Sequence, residues 1–418
     1  MEQTIYVHVD LEGEAHLVGR LWAHRAGRKE SASFEYDKRW LENPQRFALE
    51  PALSLDVGAH HTGEGRALFG AIGDSAPDRW GRVLIQREEG RKAREQNRAP
   101  HSLGEVDYLL GVGDFSRQGA LRFSIKEAGE FLAPQGVDSI PPLVFLGKLL
   151  NAAMRVAANK ESDRDLQLLL TPGSSLGGAR PKASVIDKNG RLAIAKFPQS
   201  DDTWPVTTWE AVALKLAYDA GIPVSDSRIE RIQSRSVLVL SRFDRNGTVR
   251  VPFLSAMSML GAQDNQSHSY LEIADALRQH GSQPEKDVAQ LWRRLVFNIL
   301  ISNTDDHLRN HGFLYDGKNG WRLSPAYDLN PMPIDIRPRI LSLAIDEADS
   351  TASLELAFRV AKQFGLNQKD GRKIAAEVGK AVSGWRNTAS KLDLSTKEIT
   401  RMESAFEHDD LHFACDGG

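Results

Sequence analysis

The chain is expected to fold as an α/β (α+β) protein of two lobes, with a strand-rich N-terminal subdomain and an all-helical C-terminal lobe. Period-two alternation dominates the opening, as in Thr4-Ile5-Tyr6-Val7-His8-Val9, and marks strands with one buried face. A turn, Asp187-Lys188-Asn189-Gly190, separates two β-rich runs and reads as a hairpin. From Ser267 onward apolar residues recur at helical spacing, notably over 288–301 and 354–385. At 418 residues the chain is too long for one simple core. Three segments follow: a strand-rich subdomain over 1–125, a small lobe with a Gly-rich loop over 140–243, and a helical lobe over 244–418.

Taken in order, Val18-Gly19-Arg20-Leu21-Trp22 and Ala32-Ser33-Phe34-Glu35-Tyr36 are short strands between polar turns. The block Asp74 to Arg82 carries capping residues and an early Pro77, which suit a helix start. Residues 86–100 mix both charge signs without interleaved aromatics, so a solvated helix end and loop is expected rather than a nucleic-acid contact. Residues 134–142 form a Pro- and Gly-containing connector. A helix over 143–158 follows, then a polar break and the Gly-rich stretch 171–182. After the hairpin come a helix over 208–220 and a strand pair around 229–243.

Composition narrows the function. Apolar residues at 41% and charged residues at 26% are ordinary for a soluble enzyme. A formal charge of −3 gives no polycation for wrapping nucleic acid. The sole cysteine, Cys415, excludes a disulfide frame and a Cys-based metal site. The opening lacks the layout of a signal peptide and no apolar run suits a membrane span, so a cytoplasmic location is the default.

The chemistry concentrates in Ser302-Asn303-Thr304-Asp305-Asp306-His307-Leu308-Arg309-Asn310-His311. Asp305 stands five residues before Asn310, and a strand, a turn, a second strand and Tyr327-Asp328 follow. Phosphoryl transfer from ATP needs a carboxylate at the acceptor hydroxyl, and an amide plus a second carboxylate on magnesium. Protein kinases supply these from a D-x-x-x-x-N loop, a hairpin and a metal-binding Asp in that chain order. Asp305 is the candidate catalytic residue, with Asn310 and Asp328 as metal ligands. Asp306 has the wrong spacing. Arg309 would counter phosphate charge or pair with a carboxylate.

Upstream, Gly177 and Gly178 let the backbone bend and turn N–H groups toward phosphate oxygens, with Ala179 beside them and Lys182 adding charge. The stretch is not a Walker loop, because Ala179 stands where the Lys belongs. Lys196 ends the second hairpin strand, the place of a phosphate-clamping lysine, and Glu210 is its candidate partner. Ser241 and Phe243 end the strand where an adenine edge would meet backbone groups. His307 and His311 are four apart, but the H-E-x-x-H context that would favour zinc is lacking.

These blocks resemble the HipA family of bacterial serine/threonine kinases, the toxins of type II toxin–antitoxin modules. The likeness includes Val18-Gly19-Arg20-Leu21, Pro77-Asp78-Arg79-Trp80-Gly81-Arg82, Leu110-Gly111-Val112-Gly113-Asp114 and Gly119-Ala120-Leu121-Arg122-Phe123. It continues through Ser175-Leu176-Gly177-Gly178-Ala179-Arg180-Pro181-Lys182, Ser241-Arg242-Phe243-Asp244-Arg245, Asn303 to Asn310, and Tyr327-Asp328. The resemblance implies a protein-kinase-like fold, ATP and Mg2+ as cofactors, and Asp305, Asn310, Asp328 and Lys196 in the roles above. It adds His307, Arg309 and Tyr327 to the nucleotide site. It further implies autophosphorylation at Ser175, with Ser174 as competitor, where a dianion would repel the ATP phosphates.

A helix-turn-helix, HipB-like antitoxin that carries the complex to operator DNA is the implied partner. A translation protein such as an aminoacyl-tRNA synthetase is the implied type of target. Ser241 departs from the family's frequent Glu, and Arg180-Pro181 from its Gln-Glu. The alternatives are a small-molecule kinase of related fold and a catalytically silent corepressor.

Overall fold

Residues 2–27, 29–132, 140–170, 178–317 and 320–416 are described by the computed structural model. The chain divides into two units: Met1–Ser200 with Val239–Leu254, and Asp201–Leu238 with Ser255–Gly418.

In the first unit the opening alternation becomes β1 (Glu2–Leu11), β2 (Glu14–Ala26) and β3 (Lys29–Tyr36), longer than the short runs expected. With β4 (Ala59–His61) and β5 (Leu121–Ser124) they form an antiparallel sheet of order β4-β3-β2-β1-β5. Ile5, Val7, Val9, Leu21, Phe34 and Phe123 are buried on it, the outcome that period-two patterning dictates. Gly19 lies opposite Tyr36 in β3, and a Cβ there would sit 2.3 Å from Glu35 O and 2.6 Å from the Phe34 ring. Only glycine fits.

The helix Arg79–Glu95 starts where the block at 74–82 predicts. Asp78 is its cap, accepting from Gly81 N at 2.7 Å. Its charged end is laced by Arg91 to Glu88 and Glu95. The polar break expected after residue 158 is instead a helix, Asp163–Leu170. Leu166 and Leu169 are buried, and Asp165 pairs with Arg155 of the helix Leu146–Ala157. Tertiary packing overrode local polarity there.

The expected hairpin is present as β6 (Lys182–Ile186) and β7 (Leu192–Lys196), with Lys182 opposite Lys196. Asp187 Oδ1 closes the turn by accepting from Asn189 N and Arg191 N, each at 2.8 Å. Strand β8 (Ser227–Ile232) belongs to the second unit, and β9 (Arg235–Ser241) carries the chain back into the first.

Beyond β9 the first unit is tied by buried charge. Asp244 accepts from Arg242 Nε at 2.6 Å, from Arg245 Nη1 at 2.8 Å and from Gly119 N at 2.7 Å. Arg242 and Arg245 also reach the carbonyls of Ser116 and Arg117, at 2.9 Å and 2.5 Å. Arg122 and Arg250 hold Asp114 at 2.6 Å and 3.2 Å. Burial would raise the Asp244 carboxyl, but Arg242 and Arg245 outweigh it and hold it below the usual range. The blocks around 110–123 and 241–250 are thus halves of one buried ion network.

The second unit is mainly helical. Its spine is the helix Pro284–Leu300, with Pro at its first turn and Leu291, Trp292, Leu295, Val296, Phe297, Ile299 and Leu300 buried. The helical spacing over 354–385 resolves into Leu354–Val360, Gln368–Ser383 and a helix starting at Trp385. Trp385 stacks on Phe406 at 4.6 Å, with Trp209 6.1 Å from Trp385. The hairpin β13 (Gly312–Tyr315) and β14 (Trp321–Leu323) interrupts the helices, and β10 to β12 are the short pieces Arg245–Asn246, Val249–Arg250 and Phe253–Ser255. Among the described residues no helix is long and apolar enough to cross a membrane.

Glu50 is buried in the first unit and accepts from Ala71 N at 2.5 Å. Burial pushes its carboxyl from 4.5 up to about 7, against the pull of that N–H. The folded state therefore takes up this proton at a higher pH than the unfolded chain. The Glu50 contribution to stability is fullest below about pH 4.5 and falls by roughly 3 kcal/mol as pH rises toward 7. Glu50→Gln is expected to flatten that slope. Urea denaturation across this pH range measures it, and an unchanged slope in the variant would argue against a buried ionisable Glu50.

Candidate active site

The loop after the Pro284–Leu300 helix alternates in exposure. Asp305, His307 and Arg309 face solvent, whereas Asp306, Leu308 and Asn310 are buried. Ser302 enters it with φ of 51° and is fully buried, a left-handed turn that breaks the helix sharply. A short 3-10 turn, Leu308–Asn310, ends it.

Asp306 anchors the loop from beneath. Its Oδ2 accepts from Tyr270 OH at 2.5 Å and from His311 Nε2 at 2.8 Å. Asn298 Nδ2 donates to Tyr270 OH at 3.2 Å, and Asn303 Nδ2 donates to Asn298 Oδ1 at 3.1 Å. Burial would raise the Asp306 carboxyl, but His311 and Tyr270 outweigh it and hold it below the usual range. Burial, then the Asp306 charge, push the Tyr270 hydroxyl well up, so it remains a donor.

Asp305 is exposed, and its Oδ1 accepts from Arg337 Nη1 at 2.8 Å. Asn310 Nδ2 donates to the Asp305 carbonyl at 3.2 Å, which turns the amide oxygen of Asn310 the other way. Two hydrogen bonds tie the residues flanking Asp328 to this loop. Tyr327 OH donates to Arg309 O at 2.8 Å, and Asn330 N donates to Asn303 Oδ1 at 3.4 Å. One precedes Asp328 and the other follows it. Asp328 itself holds φ of 55°, a conformation that Asp tolerates better than most residues. Below, buried Arg294 donates to the Ser324 carbonyl and fixes the end of the hairpin leading to Asp328.

Arg309 forks onto the Asp264 carboxylate, the pairing its chemistry allowed alongside phosphate binding. His307 is exposed and His311 is committed to Asp306. Among the described residues no three His, Cys, Asp or Glu side chains cluster to hold a metal ion. Asn310 and Asp328 supply one neutral and one anionic oxygen, a donor set that suits magnesium together with phosphate oxygens.

In the first unit, Lys182 is buried with its Nζ 2.8 Å from Asp78 Oδ2. Trp80 Nε1 donates to Lys182 O at 3.0 Å. Asp78 thus caps a helix with one oxygen and holds Lys182 with the other. Gly178 has φ of 107°, and a Cβ there would approach Lys182 Nζ to 3.0 Å, so glycine suits this position on both counts. Ala179 is exposed, and Arg180, Lys196, Ser241 and Phe243 are partly exposed. Phe243 lies 6.1 Å from the Phe253 ring. Glu210, in the second unit, is buried on the helix Val206–Asp219. Ser174, Ser175 and Gly177 lie outside the described residues.

Sequence reasoning missed Tyr270, Asn298, Asn303 and Arg337 as contributors. Only Asn303 carried a local signal, inside the quoted motif. Tyr270 and Arg337 act across long separations, and Asn298 links Tyr270 to Asn303.

These features define a mixed α/β protein of protein-kinase-like fold. A family model described as the HipA-like C-terminal domain matches residues 174–385, half of the chain, and the chain belongs to that family. A protein named "Putative kinase Y4mE" from Sinorhizobium fredii (strain NBRC 101917 / NGR234) is 24% identical over 419 residues, covering 92% of this chain and 89% of that protein. The serine/threonine-protein kinase CtkA of Helicobacter pylori (strain J99 / ATCC 700824) is 23% identical over 197 residues, or 43% of this chain and 60% of that one. Among solved structures, HipA of the Shewanella oneidensis MR-1 toxin–antitoxin system, determined with HipB and operator DNA, matches with a TM-score of 0.64 and 17% identity. The match covers 99% of this chain and 97% of that one. This last likeness is one of fold.

The two adjacent carboxylates should respond very unequally to neutralisation. Asp306→Asn is expected to cost about 3 kcal/mol or more, because it disrupts a buried, paired anion. Asp305→Asn should cost under about 1 kcal/mol, because its ion pair is exposed. Urea denaturation compares them, and equal losses would contradict the assigned geometry.

Proposed function

We propose that this chain is an ATP- and magnesium-dependent protein serine/threonine kinase. The observation that carries the reading is the double tie between the 303–310 loop and the residues flanking Asp328. With Asp306 locked below and Asp305 turned outward, these ties support a reading in which a carboxylate, an amide and a second carboxylate serve one site, in the chain order that phosphoryl transfer uses. The kinase names of the relatives agree with it.

In this reading Asp305 accepts or orients the proton of the acceptor hydroxyl. The hydroxyl oxygen bonds to the γ-phosphorus as the bond from that phosphorus to the β–γ bridging oxygen breaks, and ADP leaves with the electron pair. Asn310 and Asp328 would hold magnesium, which when bound neutralises phosphate charge. Lys196 and the backbone of Gly177, Gly178 and Ala179 receive the phosphates, with Lys182 beside Gly178. Ser241 and Phe243 meet the adenine, and His307, Arg309 and Tyr327 border the nucleotide. Ser175, or its neighbour Ser174, is the autophosphorylation site.

The toxin–antitoxin setting of the Shewanella HipA structure supports a biological role of the same kind. The partner is then a helix-turn-helix, HipB-like antitoxin that brings operator DNA, and the target a translation protein such as an aminoacyl-tRNA synthetase.

Incubation with γ-labelled ATP and magnesium should label the wild-type chain at Ser175. Asp305→Ala and Asp328→Ala should each lower transfer by about 100-fold or more. Peptide mass mapping locates the phosphate. Equal labelling of wild type and both variants would defeat the kinase assignment, and labelling of a metabolite in place of proteins would favour a small-molecule kinase.

A further inference from the structure

Beyond the Asp328 segment the chain makes a turn with an unusual surface. Ile334, Ile336 and Ile340 are 52%, 49% and 52% exposed, three large apolar side chains within seven positions. The turn is well held. Ile336 N and Arg337 N both donate to Pro333 O, at 3.0 Å and 3.1 Å. Ile334 N donates to Ser404 Oγ at 3.2 Å, and Asp335 takes both Arg401 nitrogens at 2.8 Å and 2.9 Å. At the other end Arg339 reaches Ile299 O at 3.0 Å and Ser302 Oγ at 3.2 Å. Fixed at both ends, the turn keeps its isoleucines in water.

Arg337 lies among them, with its Nη1 2.8 Å from Asp305 Oδ1 and the two side chains 46% and 58% exposed. An ion pair this open contributes little to stability. Its geometry has another use. Oδ1 is occupied, whereas Oδ2 takes no hydrogen bond among the described residues.

We infer that residues 333–340 are the acceptor-docking turn: Arg337 positions the Asp305 carboxylate, and Ile334, Ile336 and Ile340 receive aliphatic side chains flanking the target hydroxyl of a protein acceptor. The inference rests on the kinase reading and adds how the acceptor is chosen. Continuity identifies the occupant. Arg337 is bonded to the carboxylate that must meet the acceptor hydroxyl, so the molecule covering the neighbouring isoleucines is the one carrying that hydroxyl. A small polar acceptor would leave these side chains in water, whereas a peptide segment with aliphatic residues removes them from it. Arg337 is a positioning residue: its guanidinium fixes one carboxylate oxygen and leaves the other for the hydroxyl.

The test uses the full chain, magnesium ATP and a Ser-centred degenerate peptide library. Wild type should favour peptides with aliphatic residues beside the serine. The triple variant Ile334→Ser, Ile336→Ser, Ile340→Ser should lose that preference and about tenfold in kcat/KM for the selected peptide. Val57→Ser, at an 88% exposed apolar position in the other unit, should keep both. Arg337→Ala should lower kcat about tenfold or more with the KM for ATP unchanged, and Arg337→Lys should recover part of it.

Transfer by wild type with no aliphatic preference, or a triple variant that keeps it, overturns the docking turn and leaves the kinase reading standing. Absence of transfer by wild type removes both. If sedimentation shows that the triple variant merely dissociates a dimer while peptide selection persists, the ridge joins two copies and the proposal fails.

Discussion

The candidate site depends on a buried carboxylate that performs no chemistry of its own. Asp306 is held by a tyrosine hydroxyl and an imidazole within the second unit. That anchor fixes the rotation of the following backbone, so alternate residues point in and out from Asp305 to Asn310. Without it the loop would have no reason to present Asp305 to solvent while burying Asn310. An ionised group in so dry a place persists only when fully partnered. Tyr270, Asn298 and Asn303 extend the partnership back into the helical spine, which makes the loop a continuation of the core.

The first unit uses the same principle with the opposite excess of charge. Arg117, Arg122, Arg242, Arg245 and Arg250 gather around Asp10, Asp114 and Asp244, and most of these groups are buried. Burial pushes the Arg117 and Arg245 guanidinium groups down to about 9. Such a network specifies one arrangement of its segments because any other leaves a charge unpaired. It joins segments 113–122 and 242–250 around the N-terminal sheet. A second, smaller buried ion pair, Asp78 with Lys182, ties the start of β6 to the cap of the helix Arg79–Glu95.

Legibility followed the range of the interaction. Strands β1 to β3, the β6–β7 hairpin and the long helix at 284–300 all declared themselves, because period and turn chemistry are local. The spacing of Asp305, Asn310 and Asp328 was equally plain. The helix at 163–170 was not, since its stabilising partner Arg155 belongs to the preceding helix. Arg309 met Asp264 from 45 residues away and Arg337 met Asp305 from 32, distances at which no pattern in one sequence names the partner.

The order of chemical groups along the chain was a property of the sequence alone: a glycine turn, a strand lysine, then acid, amide and acid. Residue type sets what each group can donate, accept or bind, and spacing sets which lie on one loop. The choice between neighbouring acids was made by folding. Asp305 and Asp306 are chemically identical, and only the hydroxyl and imidazole waiting beneath one of them decide which is buried. The same holds for Arg337, whose role exists only because a turn pinned by Arg401 and Ser302 carries it to a carboxylate in three dimensions.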